Sequence, residues 1–324
     1  MTSSFDVWLA GFVKNLKKNI ANGFVYPVVG LLVFSLLWSY AANNINTSLG
    51  QFPGPSQVYT AAGSLLDEYT AEQEKALAFY ERQKKRNAKK LEKNPDAKVK
   101  IRKYTGKETF FDQIWTSLKT VSFGFLIASA IAIPIGIMCG LSNAIYAAIN
   151  PLIQLFKPVS PLAWLPLITM IVSAVYVSED PLFEKSFLTS GLTVALCCLW
   201  PTLINTAVGV ANIDKDLVNV SRVIKLGKFS HISKVIWPAS IPMIFTGLRL
   251  SLATGWMVLI AAEMLSQNPG LGKFVWDEFQ NGSSNSLARI IVAVLVIGIV
   301  GFILDRIILL SQRYFSWDKQ AVLR

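Results

Sequence analysis

Arg249, Glu263 and the adjacent Asp305-Arg306 are ionisable side chains at or inside long runs that otherwise carry no charge. Such groups are costly in an apolar setting and mark proton relays, ion paths or substrate contacts. A relay needs a chain of carboxylates or histidines across the apolar layer, and these four do not form one. Arg249 and Arg306 fall near one end of their runs, where a long side chain can snorkel to water, and Glu263 falls near the opposite end. An ion-driven carrier is therefore disfavoured, and an external energy source is the better reading. The single histidine, His231, lies between Lys228 and Lys234 and reads as an exposed residue; it leaves no basis for a His-rich metal site. Cys139, Cys197 and Cys198 sit inside apolar runs as small packing residues, with no disulfide or metal framework. Asp277 and Glu278 are sequence neighbours and do not face one reactive point. Gly270-Leu271-Gly272-Lys273 is too short for a phosphate-cradling loop. Nothing argues for an enzyme, a bound metal or a cofactor.

The other chemically distinctive stretch is Leu217 to Pro238, a polar-basic segment wedged between apolar runs. It carries Arg222, Lys225, Lys228 and Lys234 beside apolar Val220, Val223, Ile224, Leu226 and Phe229. That mixture suits a short helix pressed into a partner's groove, with cations left to pair with acidic groups. The plainer reading is a basic loop anchored by lipid headgroups. Gly227 is expected to let the chain turn there, and Pro238 to stop a helix from running straight on.

The elements around these residues follow from composition. Hydrophobic residues make up 52% of the 324 and charged residues 16%, too apolar for an ordinary soluble domain. No charge occurs in 19–66, 120–156, 158–178, 186–213, 250–262 or 290–304, and about 18 apolar residues suffice to cross a bilayer core. The sequence predicts an all-α polytopic membrane protein with six spans, near 24–42, 116–141, 162–177, 188–210, 241–265 and 287–310. Small residues in the second let backbones approach closely; the third follows a proline-dense entry. Asp6, Lys14, Lys17 and Lys18 precede the first run, which argues against a cleavable signal peptide. Lys14, Lys17 and Lys18, the 211–240 segment, and Arg306, Arg313, Lys319 and Arg324 all fall on one side of six spans. The positive-inside rule makes that side cytoplasmic, with both termini. Glu179, Asp180 and Glu184 fall outside.

One segment opposes this pattern. Residues 81–108 hold twelve Lys/Arg against Glu81, Glu92, Asp96 and Glu108, so +8 of the formal +11 charge lies there. Because the 44–115 connection exceeds about 60 residues, the rule weakens for it, and the segment is expected outside. It reads as a solvated, partly helical insertion, or as a basic surface that docks a partner or steers anions.

Aligned on Pro238, the 217–238 segment resembles the cytoplasmic EAA loop of ABC importer permeases. Asn219 stands in the Glu slot, Val220 and Ser221 in the Ala slots, and Lys225 in the Gly slot. The flanks resemble the nitrate/sulfonate/bicarbonate branch of that family: Lys157-Pro158-Val159-Ser160-Pro161-Leu162-Ala163-Trp164-Leu165-Pro166, Ile244-Phe245-Thr246-Gly247-Leu248-Arg249, Ala261-Ala262-Glu263-Met264-Leu265, Pro269-Gly270-Leu271-Gly272 and Leu304-Asp305-Arg306. The Asn-Val-Ser-Arg-Val loop is similar to that of nitrate and bicarbonate permeases. The likeness covers about 110–312, and the basic insertion near 75–107 departs from the compact pattern.

The resemblance implies a type I ABC importer permease with cytoplasmic coupling helices, acting as a homodimer in the bacterial inner membrane. Its core would be 116–312, after an N-terminal segment and first helix (1–43) and an outer loop (44–115), and before a tail (313–324). Two ABC ATPase subunits, holding ATP and Mg, would dock on Asn219, Val220, Ser221, Arg222, Val223, Lys225, Gly227 and Pro238. A periplasmic or lipid-anchored binding protein would deliver an anion, nitrate or nitrite first, with bicarbonate, cyanate or a sulfonate such as taurine as alternatives. No nucleic acid is implied. A passive anion channel and a structural membrane subunit remain as other classes. Trp164, Asn205, Arg249 and Trp256 are candidates for the anion path, with Ser160 and Thr169 behind them; for each the alternative role is packing.

Overall fold

A computed structural model of the chain describes residues 25–47, 50–94, 99, 101–177 and 182–315. The N-terminal lysines, Glu179, Asp180, Asp96, Lys319 and Arg324 lie outside the described residues. The elements are almost entirely helical. Helix α1 (Tyr26–Asn44) leads through a short antiparallel hairpin, β1 (Asn46–Thr47) and β2 (Gly50–Gln51) with Asn46 opposite Gln51, into α2 (Pro55–Lys93). Helices α3 (Phe110–Leu141), α4 (Asn143–Phe156), α5 (Pro161–Val175) and α6 (Lys185–Ala211) follow. Two short helices, α7 (Lys215–Val223) and α8 (Lys228–His231), and a π turn (Ile232–Ile236) lead into α9 (Trp237–Ser266). Helices α10 (Leu271–Asn281) and α11 (Ser284–Phe315) complete the described chain.

Local sequence accounts for the helix starts. Thr109 and Asp112 cap α3 reciprocally: the Thr109 N–H donates to Asp112 Oδ2 at 3.0 Å, and the Asp112 N–H donates to Thr109 Oγ1 at 3.4 Å. Ser142 caps α4 and Ser160 caps α5, where Pro161 takes a first-turn position that needs no N–H. Asp214 caps α7.

Helices α1, α3, α6, α9 and α11 are each long and apolar enough to span a membrane. The expected third span is different. Helix α5 has 15 residues, roughly 22 Å, short of the roughly 30 Å core. With α4 it forms a pair bent by 100° at Lys157–Ser160, so the prolines of that segment make a hinge rather than an entry to a straight span. Helix α1 buries Ala42 alone and touches the rest of the chain near Trp38, whose Nε1 donates to the Pro53 carbonyl at 3.1 Å.

The core lies between α3, α6 and α9. Small residues bring the backbones together, as predicted for α3: a Cβ at Gly136 would lie 2.8 Å from the Leu203 carbonyl oxygen, and one at Gly255 2.4 Å from Cys198 Sγ. Pro201 interrupts the hydrogen-bond ladder of α6, and α9 repairs it. The buried Ser251 hydroxyl accepts from the Thr202 N–H at 3.1 Å and donates to the Cys198 carbonyl, which places it within the 198–202 rung. In a hydrocarbon layer every backbone group needs such a partner. Here the repair also bolts α6 to α9.

Helix α2 is the main addition to the expected picture. At 39 residues it is roughly 58 Å long. Its first part enters the core, with Val58 and Leu65 buried beside Phe110, Leu271 and Phe274. The insertion is thus anchored at its base and helical far beyond the expected partial helix.

Candidate functional site

The 214–236 segment forms a small two-helix projection at one end of α6 and α9. Arg222, Lys225 and the apolar residues of the segment are held by three local devices. The first is a Schellman cap at the end of α7. The Leu226 N–H donates to the Ser221 carbonyl at 3.1 Å, and the Lys225 N–H to the Arg222 carbonyl at 3.0 Å. Lys225 occupies the left-handed position of that motif, with φ 53°, where glycine is favoured because it has no Cβ. The turn is therefore made at Lys225. Gly227 was expected to supply it, but the positive-φ glycines described are Gly50 and Gly282.

The second device joins the two short helices. Ser221 is buried, donates to the Val218 carbonyl at 2.7 Å, and lies 2.8 Å from His231 Nδ1. His231 is thus a clamp rather than a simply exposed histidine. The third is the seating of Ile236, buried against Ile137 and Val210 at the ends of α3 and α6. Pro238 does not stop the helix as expected. The π turn, where the Trp237 N–H reaches back to the Ile232 carbonyl, lies just ahead of the proline, and the helical run continues from Phe229 to Ser266. Against this rigid frame the outward face is bare and apolar: Val223 is 80% and Phe229 84% exposed, with Leu217, Val220 and Ile224 also exposed. Asn219 and Arg222 are exposed beside them.

The four path candidates do not converge in one chain. Arg249 and Trp256 line a common cavity of about 160 Å³ between α9 and α11, with Leu252, Gly301, Leu304 and Asp305 among the other walls. Arg249 holds Asp305 through two hydrogen bonds, Nε to Oδ1 and Nη2 to Oδ2, the latter at 3.1 Å. Trp256 is buried and donates Nε1 to the Ile297 carbonyl at 3.0 Å. Asn205 turns back on its own helix, donating to the Pro201 carbonyl at 2.8 Å, and its Cβ faces Gly247. Trp164 lies elsewhere, its ring 5.6 Å from that of Phe156, which stacks in turn on Trp200 at 6.1 Å. Ser160 is the α5 cap and Thr169 donates to the Leu165 carbonyl at 2.8 Å.

Two polar clusters lie at the opposite end from the 214–236 projection; sequence reasoning named Glu263 and Glu278 but none of their partners. Glu263, fully buried, accepts from Ser117 Oγ at 2.8 Å and from the Gly272 N–H at 3.0 Å, while the Leu271 N–H donates to Ser117 Oγ at 2.8 Å. The first amides of α10 are thereby held by α9 and α3. A Cβ at Gly272 would come 2.1 Å from the Ile260 carbonyl oxygen, so glycine there permits the approach. The second cluster centres on Arg289 of α11. It grips Glu68 of α2 with two bonds, 2.7 and 3.0 Å, and its Nε lies 2.7 Å from Glu278 of α10. Arg289 beside Glu68 holds that carboxyl below its ordinary value of 4.5. The sequence signal was present in the charge that ends each apolar run, but not the partner.

Residues 132–314 match the family model for a binding-protein-dependent transport system inner membrane component. A nitrate import permease protein of Leptolyngbya laminosa is 38% identical over 198 residues, 61% of this chain and 66% of the relative, so the chain spans just under two thirds of it. A bicarbonate transport system permease protein of Synechococcus elongatus is 33% identical over 294 residues, 90% of each. Among solved structures, an inward-facing MetNI methionine ABC transporter chain superposes with a TM-score of 0.54 at 13% identity, covering 64% of this chain and 96% of that one. That likeness concerns the fold.

Proposed function

This chain belongs to the family of binding-protein-dependent transport system inner membrane components, and from that premise we propose that it is the membrane-spanning subunit of an ATP-driven importer of a small oxyanion. The observation that carries the proposal is the 214–236 projection: a capped, clamped pair of short helices whose outward apolar face has no partner among the described residues. A bare apolar patch rimmed by cations suits a protein groove edged with carboxylates. Two ABC ATPase subunits would dock there and hold the ATP and Mg. A second copy of this chain would complete the membrane unit, in a bacterial inner membrane with the projection on the cytoplasmic face.

The helical run from Phe229 to Ser266 gives the mechanism a lever. A push on Phe229 as the ATPases close travels along one continuous helix past Arg249 and Trp256 to Glu263, which holds α10 at the far end. Rocking of that helix alternates access without chemistry in this subunit. Nitrate or nitrite is the first cargo, from the 38% identity to nitrate permeases. Bicarbonate is the second reading, favoured by the longer match, which covers 90% of both chains.

Replacing Arg222 and Val223 with Glu places two carboxylates at the centre of the docking face. The expected outcome is loss of ATPase co-purification with the folded permease retained; undiminished complex and transport would sink the docking role. Uptake of isotopically labelled nitrate, with bicarbonate as competitor, decides between cargos. Nitrate uptake insensitive to bicarbonate supports the first reading, and the reverse pattern the second. Asn205→Ala and Trp256→Ala are expected to shift that selectivity while assembly persists; unchanged selectivity in both variants assigns those residues to packing.

A further inference from the structure

The distal part of α2 and the extended segment that returns along it form an arm at the end of the molecule opposite the 214–236 projection. Beyond the buried Val58 and Leu65, helical residues 69–93 reach roughly 37 Å further. The return segment 101–107 is zipped onto this helix by side-chain to backbone bonds. Gln83 donates to the Arg102 carbonyl and accepts from its N–H, both at 3.0 Å. The Tyr104 N–H donates to the Tyr80 hydroxyl at 3.1 Å, and Glu72 accepts from the Tyr104 hydroxyl at 2.8 Å and from the Lys107 N–H at 3.1 Å. Phe79 packs on Tyr104 with ring centres 5.4 Å apart. The Phe79–Tyr104 contact and the Tyr80 hydroxyl are therefore used within the arm.

What remains outward is mostly positive, with Glu74, Glu81 and Glu92 the exposed acids among the cations. Lys84, Lys85, Arg86, Lys89, Lys90 and Lys93 are exposed, and none forms an ion pair among the described residues. A helix lying on a membrane needs a continuous apolar face to embed. The exposed large apolar residues of the arm are Leu77, Tyr80, Leu91 and Ile101, separated by polar residues and too few for that. A pre-organised, hydrophilic, cationic surface fits a soluble protein with an acidic face, for which charge sets encounter rate and orientation. The arm's base is also tied by the Glu68–Arg289–Glu278 cluster to α10, the element that Glu263 holds at the end of the lever.

We propose that this basic arm is the docking surface for the soluble delivery protein of the importer, which presents an acidic patch to Lys84, Lys85, Lys89 and Lys90. The inference rests on the importer reading and adds to it the surface and the partner's chemistry. The experiment uses the complete permease–ATPase complex in nanodiscs of zwitterionic lipid, with the purified anion-loaded binding protein of the same system as probe. ATPase stimulation is titrated at about 50 and about 300 mM salt. The unmodified complex is expected to lose apparent affinity as salt rises. A variant carrying Lys84→Glu, Lys85→Glu, Lys89→Glu and Lys90→Glu is expected to need at least about tenfold more binding protein at low salt and to show a flat or inverted salt response, with basal ATPase unchanged. Equal half-saturation in both complexes at both salts would overturn the proposal. So would a deficit seen only in discs of anionic lipid, which would assign the arm to the membrane surface. Failure of the unmodified chain to co-purify with ATPases would instead remove the importer reading beneath it.

Discussion

Lys225 sits at φ 53° in a cap whose geometry asks for glycine, and a left-handed conformation costs a residue with a Cβ roughly 1–2 kcal/mol. Lys225→Gly is therefore expected to tighten the end of α7 by about 1 kcal/mol, read as slower amide exchange at Leu226 with docking retained. Faster exchange would show that the lysine side chain contributes more than its backbone costs. The resemblance placed Lys225 in a glycine slot, yet the turn was expected at Gly227; the physical reason for the slot became visible only with the dihedral. Arg249 shows the opposite case. Its partner Asp305 is 56 residues away, and spacing within one chain carries no record of which distant run lies alongside. Removing one member of a partly buried pair leaves the other uncompensated. Asp305→Asn is expected to lower thermal stability more than Arg249→Met combined with Asp305→Leu, in which no unpaired charge remains. If the double variant is the less stable of the two, the pair is net stabilising, and Arg249 is not free to serve a passing anion.

Among the elements, α10 depends most on side chains it does not own. Its first two amides are bonded to Ser117 and Glu263, and Arg289 joins its Glu278 to α2. Losing the Glu263 carboxylate strands a buried serine and a buried amide, at a cost of about 2–4 kcal/mol. Glu263→Ala is expected to speed exchange of the α10 amides while α7 amides stay protected; uniform loss of protection would mean that Glu263 supports the whole core. The α2 attachment has a defined pH response. Glu68 lies below its ordinary carboxyl value because Arg289 bonds its ionised form. Its contribution is therefore complete above that ordinary value and is lost as pH falls through the lower, folded one. Limited proteolysis near the arm's base is expected to be flat from neutral pH down to the ordinary carboxyl range and to rise only in stronger acid. Glu68→Gln should remove that acid-dependent rise.

At the scale of the whole molecule, the spans were readable because a charge-free run long enough to cross a bilayer has few other uses, and α1, α3, α6, α9 and α11 fall where the runs are. The α4–α5 break was hidden because Lys157, Pro158 and Pro161 are as compatible with a span's entry as with a 100° hinge. The length of α2 was hidden too, since its exposed charged face gives no burial pattern to follow, and its tie to Arg289 joins residues 221 apart. Orientation now reduces to one geometric statement: the 214–236 projection and the basic arm stand at opposite ends of the helical run Phe229–Ser266. That run has 38 residues, roughly 57 Å, long enough to carry its two ends to opposite faces of a bilayer core. Val223→Cys and Lys90→Cys test this against a quiet background, because Cys139 and Cys198 are buried and Cys197 is half-buried. With a membrane-impermeant maleimide, Lys90→Cys is expected to label in intact, outward-facing vesicles and Val223→Cys only in inverted ones. Labelling of both from one side would overturn the orientation. The reverse pattern would place the bare apolar projection outside, where no ATPase can reach it.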